Sequence, residues 1–184
     1  MKARFLSVAA AVLALVVGGA AAQDAIKSGP QNGDTVPGPF HPLNINGANA
    51  GKKHCLFCEN GSNPVAVVFA REVDENLTKL IKKLDEETGK NKSAKMGSYV
   101  VFCSDAKGLE GKLEELAKKE GLKNIVLSID NPAGPEDYKI SRDAQVTVLL
   151  YSNFKVAANH AFKKGALKAA DVETVVKDVS KIVK

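Results

Sequence analysis

An α/β domain with a mixed central sheet is what this 184-residue sequence predicts, and three observations predict it. Short, continuous apolar runs rich in β-branched residues alternate with amphipathic helical stretches. A hairpin signal follows them, and an amphipathic helix comes last. Strands without a polar face are buried on both sides, and parallel strands joined by helices need both faces covered.

The elements follow in order. Pro64 to Ala70, PVAVVFA, reads as the first buried strand. Asp74 is placed to cap the next helix, whose apolar positions Leu77, Leu80, Ile81 and Leu84 fall on one face before Gly89 ends it. Ser98 to Cys103, SYVVFC, is the second strand; Leu109, Leu113, Leu116 and Ala117 line a second helix closed by Gly121. Ile125 to Ile129 is the third strand, followed by a loop containing NPAGPEDY. Val146 to Tyr151 then reads as a strand, Ser152-Asn153 as a turn and Phe154 to Phe162 as its partner. Asp171 precedes a last helix with Val172, Val175, Val176, Val179, Ile182 and Val183 on its apolar side.

The chain opens MKARFLSVAAAVLALVVGGAAAQDA, with a basic start at Lys2 and Arg4, an apolar run from Phe5 to Val17 and Ala20-Ala21-Ala22 before Gln23. That is the pattern of a cleaved secretory leader over residues 1–22, and the run is shorter than the roughly 20 residues that span a bilayer. The reading is a secreted or periplasmic protein without stable membrane insertion, retention of the leader as an anchor being the alternative. Residues 23–38, rich in Gly, Pro, Asn and Asp, read as a flexible tether, and 39–184 as the domain.

The formal charge is +5, of which Lys2 and Arg4 carry two, so leader removal leaves +3. The remaining basic residues are interleaved with acids, as in KLIKKLDEETGK, and there is no Trp. Such a pattern belongs to solvated helix faces and argues against a nucleic-acid partner.

The stretch from Ile140 to Val156, ISRDAQVTVLLYSNFKV, resembles the part of thioredoxin-like proteins that enters the terminal hairpin, turns and returns. GDTVPGPFHPLN, Gly33 to Asn44, resembles the entry segment of the peroxiredoxin and thiol-peroxidase branch. The resemblance implies a thioredoxin-like three-layer fold, a mixed central sheet flanked by helices. It also implies where redox cysteines would stand, just after the first central strand. Val73 and Asn76 occupy those positions, and Val146 takes the place of the family's cis-proline, so a trans peptide is expected there. A conventional thioredoxin or peroxiredoxin activity is therefore not expected.

The chain does carry a C-x-x-C, Cys55-Leu56-Phe57-Cys58, before the first central strand. Glu59 follows it, where c-type haem attachment needs His. Cys103, His41, His54 and His160 are the other candidate metal ligands, and none is paired at zinc-motif spacing, so neither metal nor cofactor is expected. Two readings stay open. One is a structural disulfide, which needs the four residues to turn, since extended chain holds the Cα atoms about 10 Å apart; it would stabilise by only about 2 kcal/mol. The other is a displaced thiol–disulfide exchange pair in which Lys52, Lys53 and His54 favour a Cys55 thiolate, Glu59 opposes one at Cys58, Cys55 attacks and Cys58 resolves. The partner is then a thiol or disulfide substrate; under the first reading it is another protein bound without catalysis. Cys103 reads as a buried core thiol, and His160 as a partly buried imidazole with its hydrogen bonds met. Glu72, Asp74 and Glu75 read as first-turn acids suited to a helix dipole.

Overall fold

Every residue of the first central strand, Val65–Ala70 (β2), is buried, and the period of two sorts its side chains into two cores. Ala66, Val68 and Ala70 face one, and Val65, Val67 and Phe69 face the other. The computed structural model describes residues 26–183. In chain order its elements are β1 (Leu43–Asn44), α1 (Leu56–Asn60), β2, α2 (Glu75–Lys90), β3 (Gly97–Cys103), α3 (Leu109–Glu120), β4 (Ile125–Asp130), β5 (Val146–Ser152), β6 (Lys155–Phe162) and α4 (Ala169–Asp178). The sheet runs β1-β4-β3-β2-β5-β6, with β2, β3 and β4 parallel and the other pairings antiparallel.

Chain direction explains the layering. The crossovers β2-α2-β3 and β3-α3-β4 both step the same way across the sheet, so right-handed connections deliver both helices to the same face. Leu77, Leu80, Ile81 and Leu84 of α2, Leu113 of α3 and Val172 and Val175 of α4 share that core. Tyr138, Ile140, Val36 and Leu56 cover the opposite face, from loops and the five-residue α1. The helices that flank the sheet are thus concentrated on one side.

Caps follow the sequence. Asp74 accepts the Leu77 N–H at 2.8 Å and starts α2. Asp171, expected just ahead of the last helix, lies inside it and accepts the Lys168 N–H at 2.8 Å. Val179 and Ile182 are buried within and just beyond the 3-10 turn Val179–Lys181 that continues α4. The hairpin turn sits one residue later than expected: Asn153 and Phe154 both have positive φ, +51° and +61°, as a type I′ turn requires.

The leader region lies outside the described residues. The tether expected up to residue 38 needs correction, because its described part is bonded into the domain. Ser28, 1% exposed, pairs its hydroxyl with that of Thr147 at 2.6 Å and accepts the Ser141 N–H at 3.0 Å. Thr35 bridges Lys155, and the Val36 N–H donates to the Phe154 carbonyl at 2.9 Å. These bonds lay the segment along part of the otherwise open edge of β6, where unpaired backbone groups would be a liability.

Gly97 opens β3 beside α1. A Cβ there would clash with Asn60 Oδ1, while Asn60 Nδ2 donates to the Leu56 carbonyl at 2.7 Å. Gly97→Ala is expected to displace Asn60 and cost about 1–3 kcal/mol in urea unfolding, part of it recovered in the Gly97→Ala/Asn60→Ala double variant.

Candidate functional site

Two ends of the sheet compete for attention. At the carboxyl end, where β2 runs into α2, the positions of the usual cysteines are held by exposed Val73 and by Asn76, whose side chain donates to the Leu167 carbonyl at 2.9 Å. Arg71 spreads its guanidinium over three carbonyls, those of Ala144 (2.9 Å), Pro132 (2.8 Å) and Ser141 (3.1 Å). Glu72 is ion-paired with Lys164 at 3.0 Å. Val146 is buried, and no described peptide bond is cis. Cys103 ends β3 here as a free, buried thiol. Burial pushes its pKa up to about 12, with Arg71 opposing the shift and Asp130 adding to it. This end is tied shut by hydrogen bonds and offers no accessible thiolate.

One expectation follows for Cys103. Its proton is retained in the folded chain well above the ordinary thiol value, so the unfolded chain loses protons first as pH rises. Its contribution to stability therefore falls from the ordinary thiol range up to about pH 12. Native protein at neutral pH should leave Cys103 unmodified by iodoacetamide, with labelling appearing on unfolding; rapid native labelling would contradict this burial.

The C-x-x-C lies at the other end. Phe57 packs on Phe154 of the hairpin turn with ring centroids 5.6 Å apart, and the Ser62 carbonyl accepts the Asn153 N–H at 2.9 Å. With Asn60 against Gly97, these contacts put α1 at the amino ends of β2 and β3. Lys53 bridges Leu43 of β1, and the His54 N–H donates to the Pro42 carbonyl at 3.1 Å, so the approach to the cysteines is fastened to the sheet edge.

Cys55 and Cys58 are joined by a disulfide across a Cα separation of 5.2 Å. The turn that permits it is α1 itself: Cys55 is its N-cap, and its sulfur accepts the Cys58 N–H at 3.1 Å. Leu56, 2% exposed, anchors the helix in the core. Sequence reasoning made Cys55 the attacking cysteine; in the structure Cys55 is 6% exposed and Cys58 is the exposed member. The reason is geometric. Cys55 is the N-cap residue next to Leu56, which turns into the core, while Cys58 lies on the exposed side of the turn. His54, expected to support a Cys55 thiolate, places Nε2 2.9 Å from Glu59 Oε2.

The remaining histidines lie apart from the pair. His41 is exposed in the entry loop, and His160 bonds Asp178 with Nε2 and Oδ2 3.0 Å apart. Among the described residues no group of His, Cys, Asp and Glu is arranged to hold a metal ion. No described helix is long and apolar enough to cross a membrane.

No known family model matches the sequence, and neither does any curated protein. Solved structures do match. A provisionally named thiol:disulfide interchange protein DsbE from Chlorobium tepidum aligns at a TM-score of 0.61 and 16% identity, over 83% of this chain and 98% of that one. A provisionally named protein disulfide isomerase from Bacteroides thetaiotaomicron aligns at 0.64 and 16%, over 86% and 94%. Peroxidoxin BcpB from Mycobacterium tuberculosis aligns at 0.60 and 14%, over 84% and 99%. Likeness at this identity is one of fold, spanning both the interchange and the peroxidase branches. The chain has a thioredoxin-like fold, and it carries that fold without the cysteines or the cis-proline of the usual site.

Proposed function

We propose that the protein is an exported thiol–disulfide oxidoreductase working through Cys55 and Cys58, with Cys58 as the sulfur that meets the substrate. The observation that carries this reading is the asymmetry of the pair: Cys58 is exposed, and buried Cys55 accepts the Cys58 N–H at 3.1 Å. An incoming thiolate attacks the exposed sulfur, the S–S bond breaks, and its electron pair leaves on Cys55, where that N–H stabilises the new thiolate. A second thiol of the donor then resolves the mixed disulfide and frees Cys58. The net transfer is two electrons and two protons from donor dithiol to protein. In the reverse sense Cys58 attacks a substrate disulfide and Cys55 resolves it.

Export is supported by the leader pattern of residues 1–22 and by a disulfide suited to an oxidising compartment. Names among the similar structures include a secreted disulfide oxidoreductase from Mycobacterium tuberculosis. A second reading, a non-catalytic binding module with the disulfide as a staple, is favoured by Leu56 in the core and Phe57 packed on Phe154. Turnover separates the two. Protein without the leader should accelerate the dithiothreitol-driven reduction of a model disulfide peptide above the uncatalysed rate, and no acceleration would leave the staple.

A further inference from the structure

We propose that His54 and Glu59 form a clasp over the disulfide that favours its closed state, making both of them positioning residues for the pair. The proposal deepens the exchange reading and rests on it for its meaning, yet its test is an equilibrium that needs no turnover.

His54 is the residue before Cys55 and Glu59 the residue after Cys58, and their side chains meet at 2.9 Å. The hydrogen-bonded pair therefore brackets the smallest segment that contains the disulfide. The backbone also supports each jaw. The His54 N–H is held by the Pro42 carbonyl beside β1, and Glu59 is carried by α1, where its N–H donates to the Cys55 carbonyl at 3.0 Å. Reduction by an external dithiol breaks the Sγ–Sγ bond, adds two electrons and two protons, and converts the donor to its disulfide. The two sulfurs then relax to non-bonded contact and the jaws are no longer covalently drawn together. The disulfide holds Cys55 and Cys58 at a Cα separation of 5.2 Å, the closed turn on which the 2.9 Å contact is made, so the clasp favours the oxidised protein. By reciprocity it stabilises the disulfide by the same factor.

The side chains are 36% and 53% exposed, so neither supports the core and the effect is that of an exposed polar pair, about two- to fivefold. Charge alone makes a different prediction. Glu59 next to Cys58 disfavours a thiolate there, so removing Glu59 would ease reduction, whereas removing His54 would leave that carboxylate bare and hinder it.

The test compares wild type, His54→Ala, Glu59→Gln and the double variant, equilibrated at one pH in glutathione or dithiothreitol buffers, then alkylated and weighed. Each single substitution should lower the equilibrium constant for disulfide formation about two- to fivefold, a rise in potential of about 9–21 mV at 29.6 mV per tenfold. The double variant should fall no further than the larger single. Shifts of opposite sign, no shift, or additive shifts would overturn the clasp. Absence of turnover in the wild type with these shifts intact would instead count against the exchange reading alone.

Discussion

Cys55→Ser is expected to accumulate a mixed disulfide at Cys58 when native protein meets oxidised glutathione, whereas Cys58→Ser should form none while folded. The burial of the two sulfurs decides this, Cys55 being 6% exposed and Cys58 lying at the surface. Exchange needs the attacking thiolate, the attacked sulfur and the leaving sulfur in line, and the fold grants that access on the Cys58 side only. Both variants should lose turnover to the uncatalysed level, since one lacks the resolving thiol and the other the entering one. Peptide mapping of the adduct is the readout. An adduct on Cys55 in folded Cys58→Ser, forming as fast as that on Cys58 in the reciprocal variant, would reverse the assignment. Glutathione is small enough that steric exclusion from Cys55 would reflect the site itself.

Asp85→Ala is expected to destabilise the domain by about 3 kcal/mol. Asp85 lies on α2 and is 8% exposed. Its Oδ1 accepts three backbone N–H groups, from Lys123 (2.9 Å), Asn124 (2.7 Å) and Ile125 (2.9 Å), and so fixes the start of β4. Asn124 adds a side-chain bond to Oδ2 at 3.2 Å. Alanine would leave these donors without their acceptor at a site that water reaches poorly. For a domain of this size the loss corresponds to a fall in Tm of roughly 6–12 °C. Asp85→Asn should cost less, because an amide oxygen still accepts but without the charge. Urea unfolding of the two variants measures both, and a change below about 1 kcal/mol for alanine would mean that the loop finds other partners.

What was legible in the sequence was what period and capping encode. The run from Val65 to Ala70 has no polar face and lies at the centre of the sheet; Asp74 caps α2; the Val146–Ser152 strand returns through a turn into β6. Those signals are local, so neighbouring residues suffice to read them. Features made by distant partners were not legible. β1 is two residues long and exists because Leu43 and Asn44 find Ile129 and Ser128 of β4. The 28–36 segment has a loop's composition, and it is held down by bonds to distant partners, among them Thr147, Ser141, Phe154, Lys155 and Asn159. Arg71 gave no sign that it would gather three carbonyls from a loop some sixty to seventy residues away in sequence.

The site divided in the same way. The spacing of Cys55 and Cys58 permitted a disulfide, and their place ahead of β2 pointed to the amino end of the sheet, where Phe57 meets Phe154. Which cysteine lies at the surface was not legible. Flanking charge from Lys52, Lys53 and His54 pointed to a Cys55 thiolate, but the burial of Cys55 follows from its N-cap position and from Leu56 turning into the core. A polar-apolar pattern over five residues is too short to orient a helix. The engagement of His54 with Glu59 was equally out of reach, because a one-turn helix brings together residues whose charges had been assigned to separate cysteines.

The central claim is that the displaced pair is an exchange site, and the reduction potential of Cys55–Cys58 tests it most directly. Protein without the leader would be equilibrated in graded thiol–disulfide buffers, trapped by alkylation and analysed by peptide mass. A potential between about −120 and −270 mV, the range of exchange catalysts, is the predicted result. A potential below about −300 mV would mark the disulfide as a structural staple and contradict the account.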